Sequence, residues 1–222
     1  MTILVAGATG KVGRSLVKRL HEANARILLA TRSRTVEPPS KAVKFDWFDE
    51  KTYAAPFEAD PNIDKIFLIQ PDILIPCSSA LEKGDFVNGR VHEYLADRGV
   101  DYVILRPTSF TACGDSKVAY VSVDDIVQVA CDALFAEKTT NNDVFIVGPQ
   151  LYSHDGKLTS EEFQKALLNF GMEEKYAGML GYIHGQIASG NEAAVTKTPN
   201  AYVGKYSLPE YFKAHKDTWI KA

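Results

Sequence analysis

Little in this chain of 222 residues points to a membrane, a nucleic acid or an oxidising compartment. Cysteine is scarce. The three present, Cys77, Cys113 and Cys131, are odd in number and show no Cys-x-x-Cys spacing, which argues against a disulfide framework and against a zinc site. A reducing, cytoplasmic setting is the expectation. No run of Lys or Arg stands out and the formal net charge is -3, so the basic stripe of a nucleic-acid binder is missing. No stretch reaches the ~18 consecutive apolar residues of a membrane span. A signal peptide is not expected, because the apolar start (Ile3, Leu4, Val5, Ala6) runs straight into a glycine motif. His21, His184 and His215 lack the spacing of a metal site, and none is expected. Internal repeats and low-complexity tracts are absent as well.

What is present is an ordinary globular composition, 45% hydrophobic and 24% charged. Strand-like and helix-like periods alternate along its first two thirds. Residues 2–7 read as an apolar strand, and Val12, Leu16, Val17 and Leu20 recur at helical spacing. Residues 26–31 (RILLAT) form a second strand, apolar through its middle like strands covered on both faces. Further strands are expected near 43–45, 64–69, 101–105 and 143–147, with helices over 85–98 and 122–135. From residue 159 onward the periodicities are helical and no buried strand is evident. This pattern predicts an α/β fold: a Rossmann-like, doubly wound parallel sheet with a small helical C-terminal lobe. Residues 1–150 would form the dinucleotide-binding domain and 151–222 the helical lobe on the substrate side, within a single compact unit.

The chemistry-bearing motif is Gly7-Ala8-Thr9-Gly10-Lys11-Val12-Gly13. A glycine pattern alone says little, but this one follows a strand, opens a helix and returns to a second strand, as a dinucleotide site requires. Gly7 permits a tight turn, Gly10 lets backbone approach a pyrophosphate, and Gly13 lets the helix pack closely. The phosphates would rest on free N–H groups at the positive end of the helix. After the second strand an NAD site usually places an acid for the ribose 2′-hydroxyl. Here Thr31-Arg32-Ser33-Arg34 stands instead, with no acid until Glu37. Arg32 can form a charge-assisted pair with a 2′-phosphate, which an acid would repel, so NADP(H) is the expected cofactor. Lys11 adds positive charge nearby. Asp46 and Trp47 follow the third strand, where the adenine would lie, and Gln70 ends the fourth strand at the same edge. An exposed acid and a core tryptophan are the other reading of Asp46 and Trp47.

Longer phrases carry a resemblance. GATGKVG, the TRS after the second strand, VKFDWFDEKTYAAPF, SSALEKGDFVNGRVHEYL, DYVILRPTSF and VAYVSVDDIV followed by VFIVGP together resemble the NmrA-like branch of atypical short-chain dehydrogenases. Within it the chain looks like the fungal festuclavine and agroclavine dehydrogenases of ergot alkaloid biosynthesis. That likeness implies an oxidoreductase acting on a small alkaloid, reducing a C=N (iminium) or C=C bond. Two internal deletions are expected against that pattern. Only about eight residues separate Gln70 from Ser79, too few for a parallel crossover, which needs at least ~10–12. Only three residues likewise separate Phe110 from Gly114-Asp115, where a substrate-side segment would stand.

Mainstream short-chain dehydrogenases use Tyr-x-x-x-Lys to protonate a carbonyl oxygen. No such spacing occurs: Tyr94 is followed by Arg98, Tyr102 by Arg106, Tyr120 by Asp124. A cationic iminium would not need that proton. Catalytic residues are therefore not assigned; His92, near the place the tyrosine would take, and Lys83 are the candidates, with a solvated helix face as the plainer reading. Ser153-His154-Asp155 spells triad residues consecutively and reads as a turn, because triad members converge from separate elements. Tyr176, Tyr182, Tyr202 and Tyr206 read first as helix packing and second as an aromatic cage. The same phrases also fit a non-catalytic dinucleotide sensor, or a degenerate copy.

Overall fold

The computed structural model describes residues 1–32, 36, 39–69, 95, 97–108, 117–153 and 158–219. They fall into two compact units: Met1–Asp101 with Ile126–Thr140, and Tyr102–Asp125 with Asn141–Ala222.

Among the described residues the first unit is built on four parallel strands, β1 (Thr2–Ala6), β2 (Ile27–Thr31), β3 (Lys41–Lys44) and β4 (Ile63–Phe67), in the order β3-β2-β1-β4. Alternation along β1 and β2 serves both sheet faces. Leu4, Ala6, Leu28 and Ala30 form one buried cluster, against which Val43, Phe45, Trp47 and Ile63 pack. Ile3 and Val5, fully buried, point the other way. Helix α1 (Lys11–Glu22) joins β1 to β2 and buries Gly13, Leu16 and Leu20, one turn apart on a single stripe. It ends at Ala23-Asn24, where Asn24 takes the left-handed conformation (φ 54) that asparagine tolerates better than most residues. A short 3-10 turn (Glu50–Thr52) and helix α2 (Ala55–Ala59, with proline in its first turn) lead from β3 to β4.

Thr2 fastens the opposite end of this sheet. Its N–H donates to Asp64 at 3.0 Å and its hydroxyl to Asp60 at 3.0 Å, while Arg26 pairs with Asp60 at 2.9 Å. Hydrogen bonding, above all from the Asn62 backbone N–H, holds the Asp60 carboxyl below its ordinary pKa.

The second unit holds β5 (Val103–Pro107), β7 (Asn142–Val147) and β9 (Ala201–Val203) as a parallel sheet in the order β5-β7-β9. A small antiparallel pair, β6 (Lys117–Val118) with β8 (Tyr152–Ser153), stands beside it in sequence order. Helix α3 (Val123–Phe135) begins in this unit and passes into the first, where Arg19 of α1 donates to Gln128 at 2.7 Å. Among the described residues α4 (Ser160–Asn169), α5 (Glu174–Ala188), α6 (Asn191–Val195), α7 (Leu208–Ala214) and α8 (Lys216–Trp219) complete the unit. Thr159 and Glu162 form a reciprocal capping box at the start of α4, and Ser207 and Glu210 another at α7.

Strands, helices and their parallel pairing agree with the expected Rossmann-like α/β class. Differences are local. The C-terminal segment, read as wholly helical, also supplies β9, so Tyr202 stands on a strand and Tyr206 in the loop after it. Strand β5 runs on through Arg106-Pro107, since Pro107 needs no N–H at the strand's last position. The helix expected over 85–98 lies almost wholly outside the described residues.

Candidate functional site

Parallel pairing decides which loops meet. β1 and β2 run in register with Ala6 opposite Ala30, β2 and β3 with Thr31 opposite Lys44, and β1 and β4 with Val5 opposite Phe67. The residues just beyond these strands (Gly7, Arg32, Asp46 and Ile69) therefore gather along one carboxyl edge, where open α/β sheets take their ligands.

The glycine loop is the built part of that edge. Gly7 has φ +80, a conformation glycine adopts without strain, and the Gly10 N–H donates to its carbonyl at 3.0 Å, closing the turn. A Cβ on Gly13 would stand 2.1 Å from Gly7 O and 2.8 Å from Ala8 Cα. Gly13 is thus required by the protein's own packing, as the motif predicts. Gly10 is different. Its φ of -73 suits any residue, and a Cβ there would meet Gly7 O at 3.4 Å, an ordinary contact. Among the described residues nothing demands bare backbone at Gly10, which fits a ligand that must come close.

Gly10 caps α1 without a side-chain hydrogen bond, and no acid stands in the first turn. The amides of Lys11, Val12 and Gly13 come before the helix's first i→i−4 bond, that from Arg14 N to Gly10 O at 2.9 Å. The site thus combines uncapped N–H groups, the positive end of a helix dipole and the exposed cation of Lys11. Those are the properties a diphosphate requires. Ala8 is buried, Thr9 and Gly10 are exposed, and Val12 is half-buried.

Thr31 and Arg32 leave β2 at the same edge, with Arg32 exposed. The Thr31 carbonyl accepts from Phe45 N at 2.8 Å, which holds the ends of β2 and β3 together. The Asp46 carboxylate accepts from Phe48 N at 3.1 Å, and Thr52 Oγ1 accepts from Asp46 N at 2.9 Å. Trp47 stands edge-on to Phe45 at 5.2 Å between centroids, and its carbonyl accepts from Tyr53 Oη at 2.7 Å. Asp46 thus shapes a turn, while Trp47 packs on the sheet face beside an apolar groove of about 230 Å³. Gln70, Lys83 and His92 lie outside the described residues, as do Cys77 and Cys113.

In the second unit each described histidine is spoken for. His184 on α5 lies 3.3 Å from Ser160 Oγ and stacks on Phe163 at 4.6 Å. His215 pairs with Asp124 at 3.3 Å and lies 4.2 Å from the Tyr211 ring. In the first unit His21 bonds Ser40 at 2.9 Å. No cluster of three metal-ligating side chains occurs among the described residues, and none of the described helices is long and apolar enough to cross a membrane. Burial raises the Cys131 thiol above its ordinary pKa, which makes it a packing residue of α3.

Residues 3–105 match the NAD dependent epimerase/dehydratase family. Festuclavine synthase I of Penicillium roqueforti is 30% identical, over 69% of this chain and 70% of that protein. The chain belongs to the family of the clavine dehydrogenases. An agroclavine dehydrogenase of Claviceps purpurea is 26% identical over 88% of this chain and 89% of its own. A festuclavine dehydrogenase of Aspergillus fumigatus is 26% identical over 291 aligned positions spanning 100% of both chains. Because this chain has 222 residues, the difference falls as positions it lacks, the shortening its sequence leads one to expect. Among solved structures, the triphenylmethane reductase of Citrobacter sp. complexed with NADP(H) superposes with a TM-score of 0.69 at 17% identity, covering 96% of this chain and 99% of its own. The NADPH-dependent quinone oxidoreductase of Escherichia coli gives 0.67 at 16% identity, covering 86% and 90%. These two establish the fold. The protein is thus a nicotinamide-dinucleotide-dependent oxidoreductase of the clavine dehydrogenase type, an NmrA-like member of the atypical short-chain dehydrogenases.

Proposed function

We propose that the chain uses NADP(H) to reduce a cationic C=N bond, or a conjugated C=C bond, in a clavine-type alkaloid. The observation that carries this is the edge formed by Gly7–Gly13 and Arg32: uncapped amides for a diphosphate after β1, and a cation directly after β2, where the sequence has no acid until Glu37. Backbone N–H groups of Lys11, Val12 and Gly13 would hold the diphosphate, and Arg32 the 2′-phosphate, bidentately. Adenine would lie along Asp46 and Trp47, with Gln70 beyond the end of β4 completing the edge. Residues 1–150 would form the dinucleotide domain and 151–222 the substrate side.

The reduced nicotinamide supplies a hydride when bound. With an iminium as substrate no protonating side chain is required, because the arriving hydride neutralises the cation. The protein's work is then to hold the two carbons together and exclude water. The names of the relatives support the substrate class, and the absence of any Tyr-x-x-x-Lys spacing agrees with a reaction that needs no proton at oxygen. The test is loss of NADPH absorbance with a clavine iminium, with NADH in parallel. Turnover with NADPH is expected, and none above the enzyme-free rate would remove the enzymatic reading. The same missing dyad favours one other reading, a dinucleotide sensor; NADPH binding without turnover, together with a protein partner, would establish it.

A further inference from the structure

The peptide between Thr9 and Gly10 is tied at both ends. Its N–H, that of Gly10, donates to Gly7 O at 3.0 Å. Its carbonyl, that of Thr9, accepts from Arg14 Nε at 2.8 Å. Helical side chains lean toward the N-terminus, so a long one at the fourth position of α1 reaches back over the first turn. The glycine spacing does not require an arginine here: positions 7, 10 and 13 make the turn and the close packing without it.

We propose that Arg14 is a positioning residue for the dinucleotide. Its guanidinium engages the Thr9 carbonyl and so fixes the peptide plane that leads into the uncapped amides of Lys11, Val12 and Gly13. A tight turn containing glycine has little resistance to rotation of a peptide plane. Rotation of this one would turn the Thr9 carbonyl away from Arg14 and the Gly10 N–H away from Gly7. With the carbonyl held, the loop is set in its binding form before the ligand arrives, and less ordering is required on association. The proposal rests on dinucleotide binding at this loop.

Two measurements on the full chain test it. In the cofactor-free protein, hydrogen exchange of the Gly10 amide should quicken at least several-fold in Arg14→Met, while the global melting temperature stays near that of the parent because Arg14 is exposed. NADPH titrated fluorimetrically should bind Arg14→Met about three- to tenfold more weakly, the range expected for one hydrogen bond. That loss should persist when NaCl is raised from about 0.05 to about 0.5 M, since a positioning contact is not screened as an exposed charge is. Unchanged exchange, an unchanged Kd, or a loss that vanishes at high salt would overturn the proposal. Failure of the parent protein to bind NADPH or NADH would instead overturn the dinucleotide reading itself, while the exchange measurement still decides whether Arg14 holds the loop.

Discussion

Bare backbone at Gly204 faces the carboxylate of Asp125: a Cβ built on the glycine would lie 2.6 Å from Oδ2. Asp125 is 2% exposed, near the start of α3, and every partner it shows is a donor. Ser122 Oγ donates to it at 2.6 Å and Lys205 N at 2.9 Å. Ser122 Oγ in turn accepts from the Asp125 amide at 3.0 Å. This carboxylate therefore locks the beginning of α3 to the chain leaving β9.

Asp125→Asn should expose the importance of that lock. The amide is nearly isosteric, but its NH2 would either face the Lys205 N–H, donor against donor, or take the place of the oxygen to which Ser122 Oγ donates, leaving that hydroxyl proton without its acceptor. The expected loss is about 2–4 kcal/mol, the range for a buried polar group left mispaired. Gly204→Ala should cost about 1–3 kcal/mol by overpacking against the same group. Urea denaturation monitored by far-UV circular dichroism measures both. Parent-like midpoints in both variants would mean the region rearranges freely.

Gly13→Ala is expected to abolish dinucleotide binding while destabilising the first unit. Its Cβ would meet Gly7 O at 2.1 Å, far inside contact distance, and the obstacle is backbone with no rotamer by which to escape. Helix α1 must shift away from β1, at a cost of about 1–3 kcal/mol or more. Gly10→Ala, whose Cβ meets nothing closer than 3.4 Å, should leave the melting temperature within about 2 °C and still weaken NADPH binding. A calorimetric titration of both variants separates the two roles. Equal binding by Gly10→Ala and the parent would show that bare backbone at Gly10 is not used.

The start of the first unit is readable because its signals are local. Strand β1, the glycines, α1 and β2 are consecutive, and each glycine's reason lies within the loop itself. Trp47 was harder: its place against Phe45 and the sheet face depends on the pairing of β3 with β2, a tertiary fact. Strand β9 was missed because Ala201–Val203 is three residues long, too short for a period of two to show, and its pairing partner β7 lies more than fifty positions earlier. The Gly204–Asp125 contact left no mark in the sequence except a glycine and an aspartate. Gly148 is similar: a Cβ there would stand 1.9 Å from Tyr120 O, a clash visible only when the two segments are brought together.

Arg32 decides the choice of dinucleotide in the proposed function. Replacing it with glutamine keeps a donor but removes the charge and the guanidinium fork. NADPH affinity should fall about 10- to 100-fold, the range of about 1.5–3 kcal/mol for a charge-assisted pair, with NADH affinity nearly unchanged. Arg32→Asp should go further and favour NADH, since a carboxylate repels the 2′-phosphate and accepts from a ribose hydroxyl. Thermal shift with each nucleotide provides the measurement. Parallel losses for both nucleotides would remove Arg32 from the specificity role.

His184 should make the second unit sensitive to mild acid. The ring is 4% exposed, bonded to Ser160 Oγ and stacked on Phe163, and burial lowers its pKa below the ordinary 6.5. The unfolded chain therefore takes up this proton first as pH falls. Between 6.5 and the lower folded value the unfolded state binds more protons, so stability rises with pH through that window. It is complete above about 6.5 and declines below it. Carboxylates with lowered values, Asp60, Glu162 and Glu210, act in a separate range, because their contributions are lost only as pH falls below about 4. His184→Gln retains a polar partner for Ser160 without a proton to gain. It should be less stable than the parent at pH 7.5 through lost stacking, yet show a flatter decline between pH 7 and pH 5. Denaturation midpoints compared at matched pH isolate this histidine from His21 and His215, which both proteins keep. Superimposable pH profiles for the parent and His184→Gln would mean that α4 and α5 separate without regard to this ring.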